Sequence, residues 1–253
     1  MMFNQRALAV WLRNFWVWRK LAVPSVLGNI VEPMLYLLGL GYGLGSLLPN
    51  VAGFPYIHFL AAGIVCQSTM NSATFEALYS AFSRLHVQRT WEAIMHAPVS
   101  LDEILMGEWL WAASKSLLSG CAILLVLVVW GITSPLHALA VVPAILLTGL
   151  CFAGMGLVIT SVSPNYDFFM YYFTLVIGPM LFVSGVFYPV TQLPVWLQWF
   201  SQLLPLTHAI SLIRPLVLGE SLTLAWLHIL VLLLYGGIGF QLSRKLARKR
   251  LLS

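Results

Sequence analysis

Residues 184–214, SGVFYPVTQLPVWLQWFSQLLPLTHAISLIR, decide how this chain is organised. The stretch is apolar enough to enter a membrane, yet it carries Pro189, Pro194 and Pro205. Each proline removes a backbone donor and clashes with the preceding helical turn. Inside lipid, such an interrupted backbone persists only where protein or a water-filled cavity shelters it. The pattern therefore predicts a re-entrant helical hairpin over 184–221 that dips into one membrane face without crossing it.

The composition indicates an integral membrane protein. Of the 253 residues, 60% are hydrophobic and 8% are charged, whereas about a quarter of a typical soluble domain is charged. We therefore predict an all-α membrane protein with a single domain over 1–253. The net charge of +5 does not indicate nucleic-acid binding, because the cations lie near the termini rather than in a patch with interleaved aromatic residues.

The sequence contains no recognisable catalytic or metal-binding motif. No lysine follows a glycine as a P-loop requires, and no His-Glu-x-x-His motif occurs. The three cysteines lie in apolar stretches, so we expect buried thiols rather than disulfides or a metal site. We expect no catalytic residue, cofactor or metal in this chain.

Six segments are predicted to span the membrane, for which about 20 apolar residues are needed. They run over about 23–47, 56–82, 105–130, 136–162, 168–187 and 222–242. A polar break is expected from Ser83 to about Glu103. The predicted hairpin lies just before the sixth span.

The first 22 residues predict an interfacial helix rather than a signal peptide. Its cations recur every seven residues on one helical face, and its large apolar residues lie mostly on the other, a pattern typical of a helix lying on an anionic membrane surface. The two sets are Arg6, Arg13 and Lys20, and Leu8, Trp11, Leu12 and Phe15.

The basic residues predict the orientation. With six spans, eleven of the thirteen Lys and Arg residues fall on one side, only Arg214 falls on the other, and Lys115 lies inside a span. Loops rich in Lys and Arg stay in the cytoplasm. We therefore expect both termini to be cytoplasmic and the hairpin to lie at the outer face.

Three charged residues fall at membrane depth. Glu32, Glu76 and Lys115 each lie roughly 10–15 Å from the cytoplasmic end of a predicted span, at about 1.5 Å per residue. Unpaired charge is costly there, so such residues usually pair or face water. We predict a Glu–Lys–Glu cluster, which either holds the bundle together as a structural ion pair or lines a substrate path.

The second predicted span also carries a polar row at intervals of four residues, which places its members along one side of a helix. Such a row fits a conduit or close packing of small residues. Its members are Ser68, Ser72, Glu76, Ser80 and Arg84.

The predicted cytoplasmic region over 84–104 contains an amphipathic segment whose first part ends at Pro98. Its apolar residues predict a knob that fits a partner's groove, and the alternative is a plain interfacial connector. The knob consists of Trp91, Ile94 and Met95, flanked by Arg89, Glu92 and His96.

Several motifs resemble those of type-2 ABC (ABC-2) exporter permeases. They are SGVFYP at 184–189, LPVWL at 193–197, LPLTH at 204–208, and Arg214. Upstream, ATFE at 73–76, QRTWEA at 88–93 and GE at 107–108 resemble the branch of nodulation lipo-oligosaccharide exporters that contains NodJ. HAPVS at 96–100 departs from that branch, because its proline is typical of the wider family. The resemblance covers essentially the whole chain.

The resemblance implies a complete transporter of two permease chains and two ABC ATPase chains, with ATP and Mg bound by the ATPase. Residues 90–100 would be the coupling helix on the ATPase, and the turn 163–167 would be a smaller contact. The hairpin would form an outer gate. The implied coupling residues are Arg89, Trp91, Glu92, Ile94, Met95 and Pro98, and the implied gate residues are Tyr188, Pro189, Trp196, Trp199, His208 and Arg214.

The resemblance also implies export of a lipid-linked oligosaccharide or polysaccharide, or a similar amphiphile, across the bacterial inner membrane. Trp196 and Trp199 either belong to the aromatic belt at the outer interface or stack on sugar or lipid head groups. The alternatives to this function are a drug or small-amphiphile exporter, a proton-coupled secondary transporter with Glu32 or Glu76 as relay, and an integral-membrane enzyme.

Overall fold

The computed structural model describes residues 2–48 and 50–251, which are helical almost throughout. The described strands are two residues each, β1 (Asn50–Val51) and β2 (Phe54–Pro55), and they pair antiparallel. The helices are α1 (Met2–Arg19), α2 (Ala22–Gly43), α3 (Tyr56–Phe75), α4 (Thr90–Met95), α5 (Leu101–Val129), α6 (Pro135–Val162), α7 (Asp167–Tyr172), α8 (Gly178–Val183), α9 (Val195–Ser201), α10 (Pro205–Leu218) and α11 (Ala225–Leu251).

Four of these helices, α2, α5, α6 and α11, are long and apolar enough to cross a membrane. The other two predicted spans are built differently. Helix α3 continues through two π-helical stretches, Glu76–Ser80 and Ser83–Val87. A third π-helical stretch, Phe173–Ile177, joins α7 to α8 in a shorter apolar helix. The described chain is thus almost entirely helical and consistent with the predicted all-α membrane protein, while the count of six spans stays a prediction.

The predicted polar break over 83–103 stays a prediction, but the helix does not end at its start, because the helical backbone continues to Val87. The reason lies in Arg84, whose side chain is only 12% exposed and turns into the protein instead of toward water. Because this cation binds buried carboxylates, the helix continues past the point where the sequence becomes polar.

Helix α3 occupies the centre of the molecule and packs against α5, α6 and α10. Almost all of its side chains are buried. This position explains why the helix is comparatively polar: Gln67, Ser68 and Thr69 face neighbouring helices rather than lipid.

Small residues bring other helices of the bundle close together. A Cβ added to Gly154 of α6 would lie 2.6 Å from the carbonyl oxygen of Gly236 in α11, an approach that favours van der Waals attraction between membrane helices.

Helix α1 packs along the first half of α5 and is not free on a surface. A Cβ added to Gly107 would lie 2.6 Å from Val10 Cβ and 2.8 Å from the Ala7 carbonyl oxygen. Trp11 Nε1 donates to Ser114 Oγ at 3.0 Å. The predicted apolar face is therefore divided. Its aromatic residues Trp11 and Phe15 contact Trp111 of α5, whereas Leu8 and Leu12 stay exposed.

Both ends of the described chain lie at one end of the bundle. Arg6 Nη1 lies 3.9 Å from a Glu103 oxygen, and Glu103 forms a reciprocal capping box with Ser100 at the start of α5. Arg244 and Arg248 of α11 both bind Asp102. Arg250 Nη1 donates to the carbonyl oxygens of Ser161 and Ser163, beside the 163–167 turn. The hairpin packs against the opposite end, at the first turns of α3.

Candidate functional site

A buried charge network joins the central helix to α5. Glu76 is 3% exposed, and its two oxygens accept four hydrogen bonds. The donors are Arg84 Nη2 (2.9 Å), Trp111 Nε1 (2.8 Å), Lys115 Nζ (2.7 Å) and Ser80 Oγ (2.9 Å). Arg84 also binds Glu108 twice, through Nε at 2.8 Å and Nη2 at 2.5 Å. We call Glu76, Arg84, Glu108 and Lys115 the central network. Its two carboxylates and two cations balance, which is the condition for burying charge.

Trp91 of α4 is attached to this network. Its side chain is fully buried, and Nε1 donates to Glu108 Oε1 at 3.1 Å. The prediction of an outward knob centred on Trp91 is therefore wrong. A large ring with a single donor is stabilised by burial when a carboxylate accepts that donor. Ile94 and Met95 are half-buried and pack against the core, so the predicted knob points inward as a whole.

Other residues form the outward face of α4. Arg89 precedes the helix in the left-handed region, with φ of 49°. The exposed residues of this segment are Arg89, Glu92, Ala93, His96, Ala97 and Pro98. Of the predicted coupling residues, Arg89, Glu92 and Pro98 thus face outward, whereas Trp91, Ile94 and Met95 hold the segment against α5.

Glu32 lies outside the central network. It is exposed on α2, and within 2–48 and 50–251 it forms no ion pair. It lines a cavity of about 170 Å³ between α2, α3 and α5, which we call the α2 cavity. Lys115 lines the same cavity. The predicted three-residue cluster is therefore reduced to the Glu76–Lys115 pair, which Arg84 and Glu108 enlarge.

The polar row of the second predicted span is divided between two cavities. Ser68 and Ser72 line the α2 cavity, where Ser68 Oγ lies 2.9 Å from Ser119 Oγ. Glu76, Ser80 and Arg84 line a larger cavity of about 470 Å³ beneath α1, which we call the α1 cavity. Lys115 lines both cavities. The row therefore both packs against α5 and faces cavities. The other residues of the α1 cavity are Arg13, Asn14, Val17, Trp18, Leu21, Pro24, Ser25, Gln88 and Trp111.

Arg13 has an unfavourable electrostatic environment in the α1 cavity. Partial burial lowers the pKa of its guanidinium, and the positive charge of Arg84 lowers this pKa further, while Glu108 acts in the opposite direction. Its Nη1 donates to the neutral Asn14 Oδ1 at 2.9 Å. Within 2–48 and 50–251, no carboxylate contacts Arg13 directly to compensate its charge.

Arg214 holds the base of the hairpin and does not face the outer surface. Its Nη2 donates to the carbonyl oxygen of Gly185 at 2.8 Å, and its guanidinium lies 3.7 Å from the centre of the Phe59 ring. Tyr56 Oη donates to the Phe187 carbonyl oxygen at 3.1 Å. These contacts tie α10, the turn after α8 and the first turn of α3 to one another.

The remaining predicted gate residues differ in exposure. Trp196 and Trp199 are 69% and 74% exposed on α9, whereas Tyr188 and Pro189 are half-buried. His208 is buried, and its Nδ1 lies 2.8 Å from His228 Nδ1 of α11. The structure thus brings His208 and Arg214 into the packed base of the hairpin and leaves the two tryptophans on its surface.

The sequence predicts Arg84 as a member of the polar row of Glu76, and that row is the signal for their contact. It names Glu108 only within the motif at 107–108, without a contact to Arg84, and it gives no signal for Trp111. Among the described residues, no group of three or more His, Cys, Asp or Glu side chains is placed to hold a metal ion.

The chain matches the family model of the ABC-2 type transporter over residues 5–218. It is 46% identical over 245 residues to nodulation protein J of Rhizobium meliloti (strain 1021), an alignment that covers 97% of this chain and 94% of that protein. Nodulation protein J of Azorhizobium caulinodans is 31% identical over 243 residues, 96% of each chain. The inner membrane transport permease YadH of Escherichia coli (strain K12) is 25% identical over 212 residues, 83% of this chain and 82% of YadH.

Proposed function

The chain belongs to the ABC-2 type transporter family and is a multi-pass transport permease, and we propose that it exports an amphiphile outward across the bacterial inner membrane. The cargo class is a lipid-linked oligosaccharide or polysaccharide, or a similar molecule with an apolar tail and a sugar head. The resemblance to the nodulation branch supports this cargo class, and the match to the family model supports the ABC transporter assignment.

The working transporter in this proposal contains two copies of the chain and two ABC ATPase subunits, which bind ATP and Mg. Both termini, the exposed face of α4 and the 163–167 turn lie in the cytoplasm, and the hairpin lies at the outer face. Several features support this arrangement: α4, the turn and the termini share one end of the bundle, and eleven Lys and Arg residues belong to segments predicted on that side.

The observation that supports coupling best is a continuous set of contacts from α4 to the α2 cavity. Trp91 donates to Glu108, Glu108 accepts from Arg84, and Arg84 and Lys115 both bind Glu76. Lys115 lines both cavities. In this proposal, a displacement of α4 by the ATPase is transmitted through Trp91 and the central network to the walls of these cavities.

A proton-coupled mechanism is less consistent with the geometry. Both oxygens of Glu76 already accept hydrogen bonds, and two of the four donors are cations. A relay carboxylate has to take up and release a proton, which these contacts oppose. Glu32 lines a cavity and is the remaining relay candidate, so the dependence of transport on a proton gradient distinguishes the two mechanisms.

The proposal is tested with the full chain purified together with its ABC ATPase and reconstituted in liposomes. We expect a lipo-oligosaccharide to stimulate ATP hydrolysis more than a small hydrophobic drug does. Glu92→Ala, on the exposed face of α4, should weaken ATPase association. Trp91→Phe keeps the buried ring and removes the indole donor, so it should preserve association and reduce cargo-stimulated hydrolysis.

Glu220→Ala is the matched control, because Glu220 is an exposed carboxylate just beyond α10, away from α4. Transport that needs a proton gradient and proceeds without ATP would contradict the exporter. Stimulation by the drug alone would instead assign a drug exporter. Unchanged association and coupling in both α4 variants would remove the proposed route of transmission.

A further inference from the structure

The α1 cavity carries more positive than negative charge. Arg13, Arg84 and Lys115 line it, and Glu76 is the one carboxylate among its described lining residues. Glu108 lies behind this wall, bound to Arg84 and Trp91. Once the central network is counted as neutral, the positive charge of Arg13 remains.

A second feature of this cavity is an unused hydrogen-bond donor. Asn14 is 2% exposed and lines the cavity, and its Oδ1 is occupied by Arg13 Nη1. Its Nδ2 is buried and has no hydrogen-bond partner in the described parts of the chain. A buried amide donor left unpaired costs about 1–3 kcal/mol, so an acceptor that comes within hydrogen-bond distance of Nδ2 would remove this cost.

Three of the four exposed side chains that line the cavity are apolar, Val17, Leu21 and Pro24, and the fourth is Gln88. Val17 and Leu21 are 54% and 64% exposed. Two further exposed apolar side chains, Leu12 and Trp16, lie on α1, the helix that carries Val17. A soluble anion would gain nothing from such surroundings, whereas the acyl chains of a lipid would bury them.

We propose that the α1 cavity binds the phosphate head group of an anionic membrane phospholipid, with Arg13 and Asn14 Nδ2 as donors to the phosphate oxygens and with the acyl chains packed along Val17 and Leu21. The site requires no transport activity and goes beyond the proposed export function. Charge-assisted hydrogen bonds from a guanidinium to phosphate are among the stronger polar contacts in proteins. The lipid would fill the space between α1 and the central network and thereby stabilise α1 against α5.

The test is native mass spectrometry of the full chain in detergent, titrated with phosphatidylglycerol or phosphatidylcholine of identical acyl chains. We expect selective retention of phosphatidylglycerol. Arg13→Gln should reduce its affinity about tenfold, the effect of losing one charge-assisted hydrogen bond. Asn14→Leu should reduce it by a smaller factor, and Arg13→Lys should retain most of the selectivity.

Lys20→Gln is the matched control, because it removes the same charge from an exposed residue that does not line the cavity. Equal losses in Arg13→Gln and Lys20→Gln would overturn the site, since they would show attraction to net charge alone. Equal binding of the two lipids would also overturn it. Displacement of phosphatidylglycerol by millimolar inorganic phosphate would show a site for a free anion and would overturn the lipid assignment. If Arg13→Gln fails to fold, the comparison of Asn14→Leu with Lys20→Gln decides the question.

Discussion

Arg84 is the cation of the central network that binds both of its carboxylates. It binds Glu76 and Glu108 together and is 12% exposed, whereas Lys115 binds Glu76 alone and is 20% exposed. Removing one partner of a buried ion pair leaves an uncompensated charge, which costs more than the pair itself contributes. The two cations should therefore differ in their effect on stability, although both lie in the same network.

We expect Arg84→Met to destabilise the protein by about 3–5 kcal/mol, because it removes the cation that binds buried Glu108 as well as one of the two that bind Glu76. Lys115→Met should cost less, about 1–3 kcal/mol, since both carboxylates keep Arg84 and Glu76 loses one charged donor of four. Thermal unfolding of the detergent-solubilised protein measures both. Equal losses, or a larger loss for Lys115→Met, would contradict this ranking.

For single residues, the sequence predicted part of the site. It placed Glu76 and Lys115 at membrane depth, where the cost of an unpaired charge implied a partner, and the structure pairs them. It could not show that Glu32 stays apart, because the rotation of α2 about its own axis depends on contacts with other helices. It also failed for Trp91, because an amphipathic pattern does not say which side of a short helix meets the protein.

At the scale of whole elements, the docking of α1 depends on how closely α1 approaches α5. The helices touch at Gly107, where a side chain has no space beside Ala7 and Val10. Hydrogen bonding of Trp11 to Ser114 and ring contacts with Trp111 complete the interface. In this position α1 forms one wall of the α1 cavity. A substitution at Gly107 therefore changes the cavity without altering any of its lining residues.

Gly107→Ala should displace α1, because the new Cβ would lie 2.6–2.8 Å from Val10 and Ala7. We expect faster proteolysis near the start of the chain and a destabilisation of about 1–3 kcal/mol. Gly39→Ala is the control, since nothing lies within 4 Å of a Cβ at Gly39 and alanine has the higher helix propensity. Protection of α1 that is equal in the two variants would show that close approach is not required.

The bounds of α2, α5 and α6 were predictable to within four residues, because long apolar stretches mark them. The predicted start of the fourth span, at 136, lies one residue from the observed Pro135. The π-helical stretches were not predictable, since they depend on long-range contacts. The sixth span was predicted to end at 242, whereas α11 continues to Leu251 because its terminal arginines bind Asp102 and the carbonyl groups near Ser163.

For the whole molecule, the placement of both termini at one end requires an even number of crossings. Labelling of spheroplasts with a membrane-impermeant maleimide tests the orientation. The background variant is Cys121→Ala, because Cys121 is the half-buried cysteine, whereas Cys66 and Cys151 are buried and can be kept. We expect Gln192→Cys, on the hairpin, to react in intact spheroplasts. Ala93→Cys, on α4, should react only after permeabilisation. Reaction of Ala93→Cys in intact spheroplasts would reverse the orientation.

The division of the central network between two helical arms has a consequence for biogenesis. The arm 56–87 carries Glu76 and Arg84, which bind each other at 2.9 Å, and the arm formed by α5 carries Glu108 and Lys115 in its spanning region. Each arm thus contributes one acid and one base, so neither brings net charge from this network through the insertion machinery. Each arm can therefore enter lipid without net charge from this network, and pairing of the two arms as a hairpin adds two ion pairs between them, Lys115 with Glu76 and Arg84 with Glu108.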